Sequence, residues 1–188
     1  MQDYTQGALD FYNRNKREDL ESLSGNTSSL LQTYHLRENM KTILADVNSV
    51  ADCPCGDWNW MRSVKLDGID YTGYDILPDV INSNKERFPK YNFELFDAVT
   101  EVLPKVDLII CKDFLNHLHD AVIEQVIENF KKSKSTYLLA TYYIKSIINN
   151  MGDNWGWKEL DPSKYGLNEP INVFMDTPKR SHGLYKIN

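Results

Sequence analysis

The feature that most constrains this chain is an alternation. Short apolar, β-branched or aromatic runs recur between residues 49 and 142, and most of the intervals between them read as helices. Ser49–Cys53 (SVADC), Gly68–Ile76 (GIDYTGYDI), Tyr91–Phe96, Val106–Cys111 (VDLIIC) and Ser135–Tyr142 (STYLLATY) read as five strands. Leu36, Met40, Ile43, Leu44 and Val47 recur at helical spacing ahead of the first strand. DWNWMRSV, after Gly56, opens a helix with Asp57 as its cap. A further helix starts at Pro78, suited to the first helical position, and ends near Phe88, before Pro89. Ala121–Phe130 sets Val122, Ile123, Val126, Ile127 and Phe130 on one face, with Asp120 as cap. Strands and helices in this succession demand right-handed crossovers and a mainly parallel central sheet with helices on both faces.

The ends read differently. Residues 1–29 are polar and give a short helix followed by a Ser/Gly/Asn loop. Residues 143–188 carry Pro162, Pro170 and Pro178 with Gly152, Gly156, Gly166 and Gly183. They read as a long irregular loop and then two strands, near Ile171–Met175 and Gly183–Ile187, in an antiparallel hairpin at one sheet edge. Tyr143–Asn150 (YIKSIINN) makes only about two helical turns before Gly152, too short to cover a sheet face. The expected organisation is one domain over 1–188: a cover at 1–29, a core at 30–142, and a loop and hairpin at 143–188.

Composition removes several classes of function. At 188 residues, 41% hydrophobic and 26% charged, the chain has the composition of a soluble globular domain. It has no apolar run of membrane-spanning length, and MQDYTQGALDFYNRNKRED is too polar for a secretory signal. A net charge of −6 with no basic block argues against nucleic acid as a partner. Three cysteines without an export signal suggest reduced thiols in a cytoplasmic protein. Composition is silent on oligomeric state.

The turn after the first strand reads ADCPCGDWNWM over Ala51–Met61. In an open α/β sheet, ligands sit beyond the carboxyl ends of the strands where strand order reverses. Gly56 would let a ligand approach the backbone, and the following helix would offer free N–H groups. Asp75, at the end of the second strand, can accept hydrogen bonds from both ribose hydroxyls. Asp97, at the end of the third, can accept from an adenine amino group or can belong to an ordinary exposed turn. One acid per strand end matches an adenosine site. The turn lacks G-x-G-x-x-G, which counts against a dinucleotide-binding oxidoreductase, and the chain lacks the phosphate-binding G-x-x-x-x-G-K-S/T. Cys53 and Cys55 with His117 and His119 lack the ligand spacing of a structural zinc site, so no metal is expected. C-P-C is not the C-x-x-C redox spacing, and Cys53 and Cys111 fit small core residues.

Asp52-Cys53-Pro54-Cys55-Gly56-Asp57-Trp58 resembles the first motif of class I S-adenosylmethionine-dependent methyltransferases, with the family's first and third glycines replaced. A group of small methyltransferase-like proteins carries this variant, PCGDxNWM. The same group shows an acid at the end of strand two, C-R/K-D-x-x-x-H-L after strand four and G-W-R/K-x-L near the C-terminus. This chain has Pro54–Met61, Asp75, Cys111–Leu118 (CKDFLNHL) and Gly156–Leu160 (GWKEL). Its ESLSGNTSSLLQT is similar to that group's S-G-x-x-S-x-x-x-Q-T, so the resemblance spans roughly residues 21–187. It implies a Rossmann-like methyltransferase fold and S-adenosyl-L-methionine as cofactor. Asp52, Cys53, Pro54, Gly56, Asp57, Asp75, Ile76, Asp97, Ala98 and Lys112 would then hold the cofactor.

Methyl transfer from a sulfonium needs in-line positioning and no metal, and a hydroxyl acceptor also needs a base. Asp113 and His117 are the residues placed for that role, although a histidine at 117 also suits a purely structural turn. Trp58, Trp155 and Trp157 are possible substrate contacts; Trp58 and Trp60 equally suit packing against the sheet. No N/D-P-P-Y/F motif follows strand four, so a small-molecule acceptor is expected. The replaced glycines keep open a second reading, a non-catalytic adenosyl-ligand-binding protein.

Overall fold

The computed structural model describes residues 4–18, 20–143, 158, 160–177 and 180–188. The segment expected to replace a helix after the fifth strand, with Trp155 and Trp157, lies outside them.

Among the described residues, seven strands form one sheet: β1 (Ser49–Asp52), β2 (Asp70–Asp75), β3 (Asn92–Leu95), β4 (Leu108–Cys111), β5 (Tyr137–Tyr143), β6 (Asn172–Met175) and β7 (Arg180–Lys186). Their order is β3-β2-β1-β4-β5-β7-β6. The first five are parallel, while β7 runs antiparallel to both β5 and β6. The expected edge hairpin is present, with β6 outermost. The order reverses between β1 and β4, so the carboxyl ends of those strands flank the switch point.

Among the described residues, four helices accompany the sheet: α1 (Tyr4–Arg17), α2 (Tyr34–Ile43), α3 (Pro78–Arg87) and α4 (Asp120–Lys132). The two-residue period of β4 divides the core. Leu108 and Ile110 pack with Leu36, Met40 and Ile43 of α2, and Ile109 and Cys111 with Ile123, Val126, Ile127 and Phe130 of α4. Each such side chain, fully buried, contributes about 1.5–3 kcal/mol of burial free energy.

Two local expectations are corrected. First, DWNWMRSV is not a helix. Tight turns and a single 3₁₀ turn, Met61–Ser63, connect β1 to β2. Trp58 has φ 59°, in the left-handed region, and cannot propagate a right-handed helix. Its indole is buried against Tyr71, Phe88, Tyr91 and Phe93 and donates to the Tyr71 hydroxyl at 2.8 Å. Second, the α4 cap is His119, and Asp120 is the first helical residue. The Asp120 carboxylate instead pairs with Lys158 and accepts from Tyr165.

Candidate active site

The carboxyl ends of β1, β2 and β4 open into a cavity of about 770 Å³, within the roughly 300–1,000 Å³ range of small-molecule sites. Gly56, Asp57, Asp75, Lys112 and Asp113 form its floor and sides, and α1 roofs it with Ala8, Phe11, Tyr12 and Asn15. A smaller side pocket joins it at Pro54, Asp75, Ile76 and Phe114, and continues past Cys53, Asp97 and Ala98. Nine of the ten positions named for the cofactor thus line one space or the other.

The tenth, Asp52, does not, nor does Trp58. Asp52 is 1% exposed, and its carboxylate accepts from Tyr71 at 2.7 Å, behind the turn. Burial pushes its carboxyl up to about 7. Trp58, Tyr71 and Asp52 form a chain of hydrogen bonds that fixes the turn from inside, so both residues act in packing.

Gly56 also has a different reason from the one expected. Its φ is 53°, and a Cβ there would lie 2.0 Å from the Ser24 Oγ. The absent side chain makes room for the N-terminal loop. Asp57 caps no helix; it binds that same loop, accepting from Ser22 Oγ at 2.9 Å, Leu23 N at 2.8 Å and Ser24 Oγ at 3.1 Å. Asn59 adds bonds to Glu21 and to the Ser28 carbonyl.

Asp75 stands where strand order and chemistry place it. Its side chain opens onto both spaces although the residue is only 7% exposed. Oδ2 accepts from Gly56 N and Oδ1 from Leu77 N, each at 3.0 Å. Each carboxylate oxygen has a second lone-pair direction, so the group can still accept from a bound molecule. Burial raises its carboxyl to about 6. Asp97, in the side pocket, accepts from Tyr4 of α1 at 2.6 Å and from Val99 N and Thr100 Oγ1 at 2.9 Å each.

On the far wall, Lys112 Nζ donates to Asp113 at 2.6 Å, to the Thr27 carbonyl at 3.1 Å and to Ser28 Oγ at 3.4 Å. Arg180 of β7 reaches Asp113 at 3.2 Å, Asp176 at 2.5 Å and the Gln32 carbonyl at 3.2 Å. Burial alone would raise the Asp113 carboxyl, but the cations of Lys112 and Arg180 outweigh it and hold it far below the usual carboxylate range. Asp113 is therefore a carboxylate on the cavity wall paired with two cations, which weakens it as a base. His117 lines the cavity in the 3₁₀ turn Leu115–His117, its ring 5.8 Å from that of Phe11. Lys158 braces this turn: its N donates to the Asn116 carbonyl at 3.0 Å.

The sequence reading placed a cover at 1–29 but named no residue of it. Tyr4, Ala8, Phe11, Tyr12 and Asn15 line the cavity or the side pocket, and their separations of 4, 7, 8 and 11 from Tyr4 are one helical stripe. That periodicity was available in the polar N-terminus. It also passed over Asn116, which lines the cavity wall.

No family model and no curated protein matches the sequence. Solved structures do match the fold. The PH0226 protein from Pyrococcus horikoshii OT3 superposes with TM-score 0.68 at 14% identity, over 82% of this chain and 89% of that one. A TehB-like SAM-dependent methyltransferase from Corynebacterium glutamicum gives 0.62 at 15%, over 80% and 85%. Human N-acetylserotonin methyltransferase, in complex with SAM, gives 0.59 at 13%, over 97% and 67%. The fold is that of the Rossmann-like methyltransferases. Some matches are to longer chains: this one spans 55% of TnmH.

Proposed function

We propose that this chain binds S-adenosyl-L-methionine in the cavity and transfers its methyl group to a small-molecule acceptor. The observation that carries the reading is Asp75: a buried carboxylate at the end of β2, beside the switch point, open to both the main cavity and the side pocket. The cavity residues fit such a cofactor. Asp75 would accept from ribose hydroxyls, the side pocket with Ile76, Asp97 and Ala98 would take the adenine, and the backbone at Gly56 would flank the remainder. When bound, the cofactor supplies an electrophilic methyl on a sulfonium.

The chain's own part is positioning and water exclusion. The α1 roof covers the floor. Asp57, Asn59 and Lys112 hold the loop that joins roof to floor. His117 is the group that would take a proton from a hydroxyl or amine acceptor, because its imidazole lines the cavity in the turn after β4. The paired state of Asp113 favours a second reading, a binding protein without turnover, since it weakens one of two bases. Turnover of S-adenosylmethionine with any acceptor in a metabolite panel would eliminate that second reading.

Isothermal titration with S-adenosylhomocysteine tests the cofactor directly. Saturable binding below millimolar concentration is expected; no heat at millimolar ligand would overturn the proposal.

A further inference from the structure

The turn leaving β4 carries Asn116 along the cavity wall, next to His117. The residue is 1% exposed. Its Oδ1 has no hydrogen-bond partner among the described residues. A buried amide oxygen left so has lost its water without gaining a donor, which is unfavourable. The other buried polar side chains on these walls are engaged: Asp57 by the serines and Leu23 N, Lys112 by the loop carbonyl and Asp113, Asp113 by two cations. The Asn116 main chain is also fixed, because its carbonyl accepts from Lys158 N at 3.0 Å. The residue is thus fixed at the wall through its main chain, with one side-chain acceptor unused. Around it the wall is aromatic, with Phe11, Phe114, His117 and Tyr143.

We infer that Asn116 recognises the methyl acceptor, and that the acceptor is a small aromatic molecule bearing a hydroxyl or amine that donates to Oδ1. This rests on the reading of the cavity as a methyltransferase site. The ring lies among the aromatic side chains, and the donor satisfies the oxygen. A site built to hydrogen-bond a hydroxyl rejects the analogue that lacks it, because the buried acceptor is then left unpaired. Asn116 is thereby the residue that selects for a donor-bearing acceptor, and His117, one position on, lies beside the group it orients.

Phenol and anisole separate the two cases, since they share the ring and differ in the O–H. Each is titrated by NMR into protein saturated with S-adenosylhomocysteine. Phenol is expected to bind at least fivefold more tightly than anisole. Asn116→Leu should lower phenol affinity at least fivefold, leave anisole within twofold and leave S-adenosylhomocysteine within twofold. Asn116→Asp, which keeps an acceptor oxygen, should retain the phenol preference. No phenol binding, or equal affinities in the wild-type protein, overturns the inference, and that comparison stands whether or not the variants fold. A leucine variant that keeps the preference overturns it too. One that loses S-adenosylhomocysteine affinity assigns Asn116 to the cofactor instead. Failure of the wild-type protein to bind S-adenosylhomocysteine would sink the proposed function along with it.

Discussion

The loop over residues 21–33 is held at two places, and the two anchors are built differently. At the β1 turn the main anchor is a carboxylate, Asp57, which accepts from two serine hydroxyls and the Leu23 N–H, helped by Asn59 and by a glycine that lets Ser24 close in. At the β4–β7 side it is a buried cluster of two cations and two carboxylates, Lys112, Arg180, Asp113 and Asp176, whose spare donors reach the Thr27 and Gln32 carbonyls. The first anchor needs only local geometry and survives a change of one hydroxyl. The second depends on charge balance and fails when any member is removed. Residues that look like cofactor ligands in sequence therefore divide their work: Asp57 and Lys112 shape the site by holding its cover, and Asp75 keeps lone pairs for a ligand.

The charged anchor should be the more fragile. Arg180→Ala leaves Asp176 buried without its cation and Asp113 with Lys112 alone, and is expected to destabilise the protein by about 3–5 kcal/mol in urea denaturation. A loss below 1 kcal/mol would show that water, not Arg180, balances the cluster. Asp57→Ala is expected to cost about 1.5–3 kcal/mol by the same assay, the range for hydrogen bonds to a charged group. It should also raise hydrogen exchange across residues 21–28, with β4 and β5 unchanged. Equal exchange in mutant and wild type would mean the loop is held without the carboxylate.

A smaller effect separates the two anchors by pH. Asp52 sits behind the β1-turn anchor, and burial raises its carboxyl to about 7 from the ordinary 3.8. A raised carboxyl binds its proton more tightly in the folded state, so its contribution is present below pH 4 and is lost as pH rises from about 4 through 7. Asp113 has the opposite sign: its depressed carboxyl stabilises above the ordinary carboxylate range and loses that contribution as pH falls below about 4. Asp52→Asn should therefore gain stability relative to wild type between pH 4 and 8. A pH-independent difference would place the Asp52 proton elsewhere.

Much of this was legible in the sequence for physical reasons. A buried parallel strand such as Leu108–Cys111 must be apolar on both faces, so VDLIIC reads as a strand without context. Asp75 and Asp97 were legible because strand ends and crossover handedness place them together. The β1–β2 connection was not, because a left-handed Trp58 leaves no mark in a pattern that suits a helix equally well. The two anchors were not legible either. Ser24 meets Asp57 across 33 positions and Gln32 meets Arg180 across 148, and no local periodicity encodes a pairing at such separation. Nor does the Gly56 motif show that the space a Cβ would fill is taken by Ser24 of the same chain.

The central claim is that the Asp75 carboxylate receives the cofactor. Since it also accepts from Gly56 N and Leu77 N, alanine would disturb the fold as well as the ligand, and asparagine is the better probe. Wild type and Asp75→Asn are titrated with S-adenosylhomocysteine at pH 8, where the wild-type group, at about 6, is ionised. A loss of about 1.5–3 kcal/mol, roughly 10- to 150-fold in Kd, is expected. Equal dissociation constants in the two proteins would contradict the account.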